Sequence, residues 1–157
     1  MSKKALAICF VAFILFIGGI AILLTAGQKP DQKVVSYSTT SVDKPTAETP
    51  DGLFDFGNIS VNDVKEKDFT LKNTGTKPLQ ILNINSSCNC TAGKIIYNGS
   101  ETKEYGMHAQ SGYLMDIAPN SEAKVRVIYR PAVMSVYGTV EREVYVTTND
   151  PQRNRLV

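Results

Sequence analysis

The sequence predicts an all-β sandwich carried behind an N-terminal membrane-spanning helix, and three observations support that prediction. A charge-free apolar run stands near the start, a Pro- and Ser/Thr-rich stretch follows, and from Asp51 short β-rich runs alternate with turn residues. No segment of that last part carries the helical period of an amphipathic helix. The chain of 157 residues has room for one ordinary domain plus an attachment. The expected organisation is a membrane anchor over residues 1–27, a flexible polar tether over 28–50 and a sandwich domain over 51–157.

Ala5 to Ala26 is 22 residues without a charge. As a helix rising about 1.5 Å per residue, it covers the roughly 30 Å hydrocarbon core of a bilayer. The competing reading is a cleaved signal peptide, for which Thr25-Ala26-Gly27 is a weak cleavage-site match. The apolar region of such peptides is usually only about 7 to 15 residues, which favours an uncleaved anchor. Cys9 falls inside this segment and reads as membrane-buried, with palmitoylation as the alternative. Lys3 and Lys4 face Lys29 and Lys33 across it. That balance biases the N-terminus to the cytoplasm and places the C-terminal domain outside, as a single-pass, extracytoplasmic membrane protein.

Gln28 to Pro50 holds Pro30, Pro45 and Pro50, many hydroxyl side chains and few apolar residues. Such a composition buries too little surface to offset the entropy of ordering, hence the expectation of a tether. From Asp51 the pattern changes. Leu53 to Ile59 opens with alternating apolar and polar residues. Lys65 to Asn73 sets Phe69 and Leu71 on one face, and Asn73 to Pro78 is a turn. Leu79 to Ser87 is the next strand and leads into Cys88 and Cys90. After a turn at Ala118 to Glu122, Lys124 to Arg130 places Val125, Val127 and Tyr129 inward. Gly138 to Thr148 places Val140, Val144 and Val146 on one face. Arg142 falls in the same register and must lie at the rim or on a bulge. Strands in series without helices imply two packed sheets.

From Asp51 onward the chain carries 12 basic and 12 acidic residues, so this part is neutral and has no electrostatic footprint for nucleic acid. With no Trp, one His and three Cys, little material exists for acid-base or nucleophilic chemistry. Asp55, Asp63, Asp68, Asp116 and Glu122 show no paired spacing, and no phosphate-binding loop is visible.

Five motifs follow in order: Phe54-Asp-Phe-Gly57; Phe69 to Gly75 with Lys77-Pro-Leu79; Ser86-Ser-Cys-Asn-Cys-Thr91; Ile117-Ala-Pro119; and Thr148-Asn-Asp-Pro151. In that order, over about Leu53 to Pro151, they resemble the bacterial domain-of-unknown-function family numbered fifteen seventy-three, related to Hydin-type and major-sperm-protein domains. The resemblance implies a seven-stranded immunoglobulin-like sandwich, often secreted or membrane-anchored, with no established activity. Two features depart from it. Thr91 to Asp116 reads as a long insert, and the sequence stops at Arg155-Leu-Val157, where the resemblance predicts a last strand to begin. Either the sequence is truncated there or one sheet edge is left to accept a strand from another chain.

Cys88 and Cys90 sit at i and i+2 and project to the same side of an extended backbone. Three readings stand open. The two are a disulfide, to each other or between chains; or they are soft-metal ligands for Cu or Zn together with Met107 and His108, and with Met115 as a further candidate; or they are small buried residues. The functional expectation is a non-enzymatic, membrane-tethered binding or structural module of the cell envelope. Its protein or envelope partner meets a sheet edge or the 91–116 insert. The alternatives are a metal-binding protein and a thiol-redox protein.

Overall fold

The computed structural model describes residue 10, residues 12–20 and residues 33–157. The chain divides into two compact units, Met1–Lys33 and Val34–Val157. In the first, residues 12–20 are helical. Among the described residues no helix is long and apolar enough to cross a membrane, and most of the anchor expected over 1–27 lies outside them.

The second unit is built of two antiparallel sheets. One holds β1 (Ala47–Glu48), β2 (Lys65–Asn73), β7 (Ser121–Tyr129), β4 (Thr91–Tyr97) and β5 (Ser100–Glu101), in the spatial order β1-β2-β7-β4-β5. The other holds β6 (Met115–Ile117), β3 (Leu79–Ser86), β8 (Val144–Thr148) and β9 (Arg155–Leu156), in the order β6-β3-β8-β9. Leu71, Leu79, Ile81, Ile84, Ile95 and Ile117 are fully buried in one core with Val125, Val144 and Val146. The alternation read in β2 and β7 puts Leu71 and Val125 there. At Gly93 of β4 the sheets meet so closely that a Cβ would lie 2.6 Å from Val144 Cγ1 and 3.0 Å from Ile84 Cγ2.

Three stretches differ from the sequence reading. Leu53 to Ile59 forms no strand. Asp55 Oδ1 accepts the Gly57 N–H at 2.7 Å, and Gly57 takes φ of +65°. The Phe54 and Phe56 rings pack edge to face, with centroids 5.1 Å apart. Thr91 to Tyr97, read as the start of an insert, is β4, paired along β7. Its hairpin to β5 turns on Asn98 and Gly99, with φ of 49° and 76°, the pair of positive φ angles that a type I′ turn requires. The strand expected from Gly138 begins only at Val144. Arg155–Leu156, in contrast, begins a strand where the sequence resemblance predicts one, pairing with Thr147 and Val146.

The domain also begins earlier than Asp51. Residues 34–50, read as tether, lie within the compact unit. The Val35 N–H donates to Gln80 Oε1 at 2.7 Å, and Asn149 Nδ2 donates to the Val35 carbonyl at 3.2 Å. Buried Asn73 accepts from the Thr46 and Gly75 N–H groups at 3.3 and 3.1 Å and donates to the Lys77 and Ile117 carbonyls at 2.8 and 3.0 Å. Buried Asp150 accepts the Ala47 N–H at 2.8 Å. Polar anchoring of backbone groups, with only Pro45 and Ala47 buried, is invisible to a hydropathy reading.

On the outer face of β2 and β7, Arg126 donates to both oxygens of Asp68 at 2.6 and 2.9 Å. These hydrogen bonds hold the Asp68 carboxyl below its ordinary value of 3.8. A carboxyl depressed in the folded state adds stability that is present above the unfolded-state pKa and is lost as pH falls through the folded one. The unfolding free-energy difference between wild type and Asp68→Asn should therefore shrink from about pH 6 to about pH 3 in denaturant titrations. A second expectation concerns the early segment. A Cβ on Gly75 would collide with the backbone of Lys44, Pro45 and Thr46. Gly75→Ala should accordingly destabilise the domain by about 1–3 kcal/mol, read as a shifted urea midpoint.

Candidate functional site

β3 ends at Ser86 and β4 begins at Thr91, so the Ser87-Cys88-Asn89-Cys90 turn lies at one pole of the sandwich. Burial alternates through it: Ser87 and Asn89 are exposed, Cys88 and Cys90 buried. Both sulfurs therefore point inward from the same side, and they are joined as a disulfide with the Cα atoms 5.3 Å apart. The turn is held by backbone and hydroxyl bonds. Ser86 Oγ lies 2.9 Å from the Cys88 carbonyl and 2.6 Å from that of Thr91. The Arg130 N–H donates to the Cys90 carbonyl at 2.8 Å. Ser87 and Glu143 exchange a reciprocal pair, Ser87 N–H to the Glu143 carbonyl and Glu143 N–H to Ser87 Oγ, each at 2.9 Å.

Cys88, Cys90 and Tyr129 form a second, smaller apolar cluster, against which Ile59 and Val140 pack. Three loops thus meet at this pole: 51–64, 87–90 and 130–143. The last carries a 3₁₀ turn at Pro131–Val133. Beyond Pro131, every residue from 132 to 139 is exposed. Val133 is 57%, Met134 46%, Val136 48% and Tyr137 92% exposed. The run from Pro131 to Val140 contains no charge. Over residues 132–139 the absence of charge does not arise from burial, because these residues are exposed.

Arg142 follows this loop and resolves the register conflict noted in the sequence. Its side chain is half-buried, and Nε donates to Cys90 Sγ at 3.3 Å. Thr91 Oγ1 approaches both sulfurs, 3.3 Å from Cys88 Sγ and 3.8 Å from Cys90 Sγ.

Of the four residues considered for a soft metal, Cys88 and Cys90 are bonded to each other. Met107 and His108 are exposed in a turn closed by Ala109 N–H to the Gly106 carbonyl at 3.1 Å. Met115 opens β6, opposite Ile81. Among the described residues no group of three or more His, Cys, Asp or Glu could hold a metal ion. At the opposite pole a shallow cleft of ≈ 190 Å³ lies between residues 34–37 and 148–151, smaller than the roughly 300–1,000 Å³ typical of small-molecule sites.

The sequence reading did not single out Val133, Met134, Val136 and Tyr137. The signal was present: ten uncharged residues between Arg130 and Glu141, too irregular in pattern for a strand. Ile59, an isolated apolar residue between loop residues, carried no such signal.

The family described as "Protein of unknown function (DUF1573)" matches residues 48–105. That span runs from the end of β1 through the disulfide turn to the residue that bridges Gly93, and covers the first part of the stretch over which the motifs were read. No curated protein matches the chain.

Ile59 and the exposed loop should separate in stability measurements. Ile59→Ala should cost about 1–3 kcal/mol, whereas Val133→Ser, Met134→Ser and Tyr137→Ser should each stay within about 0.5 kcal/mol of wild type by chemical denaturation.

Proposed function

From the match of residues 48–105 to the DUF1573 family and the two-sheet fold, we propose that the chain is an immunoglobulin-like binding module, tethered to a membrane and facing out of the cytoplasm. On this reading it recognises a protein partner of the cell envelope through the loop 131–140 and does so without catalysis. The observation that carries the reading is the unbroken exposure of residues 132–139 with four large apolar side chains among them. Aromatic and Met side chains are enriched in protein interfaces and charges are depleted from their cores, which is the composition of this loop.

Polarity along the domain favours a protein over a lipid surface as the partner. The chain enters the unit at Val34, beside Gln80 and Asn149. The loop leaves from the other end of the same strands, beside Ser86 and Val144. Entry and loop are separated by the length of β3, about 25 Å at roughly 3.3 Å per residue. Within the unit, the loop thus lies at the pole opposite the point where the chain enters at Val34.

Photo-crosslinking of the full chain in intact cells tests the reading. Tyr137 and Val42 are 92% and 94% exposed, and Val42 lies next to Asp43, which pairs with Lys77 at the entry pole. A crosslinker at position 137 should give a discrete protein adduct that a Val133→Ser/Met134→Ser background removes, while one at position 42 should not. Lipid adducts at 137, equal adducts from both poles, or adducts indifferent to the double substitution would each overturn it.

A further inference from the structure

We infer that the Cys88–Cys90 disulfide is a thiol-exchange site, with Cys88 as the sulfur attacked, Cys90 as the leaving sulfur and Arg142 as the residue that holds the departing thiolate. This goes beyond the binding reading and is independent of it. The inference starts from a mismatch of chemistry. Arg142 occupies an inward register position of the chain entering β8, where a valine would pack as Val140, Val144 and Val146 do. It directs Nε at Cys90 Sγ across 3.3 Å, and its other hydrogen bond runs to the Glu141 carbonyl. Among the described residues Arg142 pairs with no carboxylate, unlike Arg126 and Arg130. A neutral disulfide sulfur is a weak acceptor, whereas a thiolate beside a guanidinium is a charge-assisted pair of roughly twice the strength of a neutral bond. The contact therefore gains most of its value in the reduced protein.

The geometry is asymmetric between the two sulfurs. Arg142 contacts Cys90, which is 1% exposed, whereas Cys88 is 6% exposed and has the nearer Thr91 hydroxyl, at 3.3 Å. A leaving sulfur of lower pKa departs faster, so the cation selects Cys90 to leave and Cys88 to be attacked. The reductant is a dithiol. One of its thiolates attacks Cys88 Sγ, the Cys88–Cys90 bond breaks, and the electron pair leaves on Cys90 as a thiolate beside Arg142. The second thiolate of the dithiol then attacks its own sulfur bound to Cys88 and releases Cys88. The dithiol ends as a disulfide, having given up two electrons and two protons. One proton ends on Cys88 and the other passes to solvent, because Cys90 remains a thiolate. Arg142 is a positioning residue in this scheme.

The test is the exchange equilibrium of the full chain, in detergent, with dithiothreitol near neutral pH. Arg142→Gln should make the disulfide harder to reduce by about tenfold in the equilibrium constant, or about 30 mV in potential. Arg142→Lys, which keeps the charge, should recover most of that difference. A merely structural arginine would move the thermal midpoint of the oxidised protein and leave the exchange constant unchanged. In a measurement that needs no variant, glutathione reacting with the wild-type disulfide and quenched by acid should be found on Cys88. An exchange constant indifferent to Arg142→Gln, a lysine variant that behaves like glutamine, glutathione on Cys90, or a disulfide inert to excess dithiol in the folded protein would overturn the inference. If Arg142→Gln does not fold, the position of glutathione decides.

Discussion

The register of β7 against its two neighbours is the constraint on which the candidate site depends. Tyr129 pairs with Lys65 of β2 on one side and with Thr91 of β4 on the other. Because an antiparallel ladder is continuous, this one alignment determines where all three strands end. It brings the segment entering β2, which carries Ile59, together with the Cys88–Cys90 turn entering β4 and the loop leaving β7 after Arg130. A shift of one residue would send Val125 and Tyr129 to the outer face and dismantle both the main core and the disulfide cluster. The pole is thus a product of strand pairing far from it, including the bidentate Asp68–Arg126 pair in the middle of the same ladder.

The two poles of the sandwich are built by different physics. At the entry pole, buried polar side chains bind backbone groups. Asn73 uses both its oxygen and its nitrogen on four main-chain partners, and Asp150 takes the Ala47 N–H. Such groups are costly to bury unless satisfied, so this end specifies one arrangement of the chain between Lys44 and Ala47. At the other pole a covalent bond, a small apolar cluster and one cation join the Ser86 and Ser87 hydroxyl bonds to the backbone. Apolar side chains there remain in solvent, where exposure has no folding rationale. Stability and candidate function are thereby segregated along the long axis of β3 and β8.

Reading the 91–116 stretch as an insert and the 28–50 stretch as a tether came from the same limitation. Composition reports how much apolar surface a segment can bury, whereas Thr91–Tyr97 is held by backbone pairing to β7 and residues 34–50 by polar side chains bonding their backbone groups. β4 joins the sheet through main-chain bonds to β7, with Gly93 at its centre because the facing Val144 and Ile84 leave no space for a side chain. Glycine and lysine in the middle of Thr91 to Tyr97 obscure the alternation by which a strand is recognised. Arg142 illustrates the opposite case, in which the one-dimensional pattern exposed an anomaly that only the contact to Cys90 Sγ explains.

The amino-acid sequence by itself determined the β class, β2, β3 and most of β7, the placement of both cysteines on one side of the turn, and the similarity to the DUF1573 family over residues 48–105. These follow from periodicity and local motif, which depend on neighbours along the chain. Tertiary structure alone decided that Cys88 and Cys90 bond to each other, that Arg142 reaches Cys90, that Ile59 and Val140 close over them, and that residues 132–139 remain in solvent. Those outcomes depend on which strands lie side by side, a long-range property set by the pairing of β7 with both β2 and β4 rather than by any local pattern.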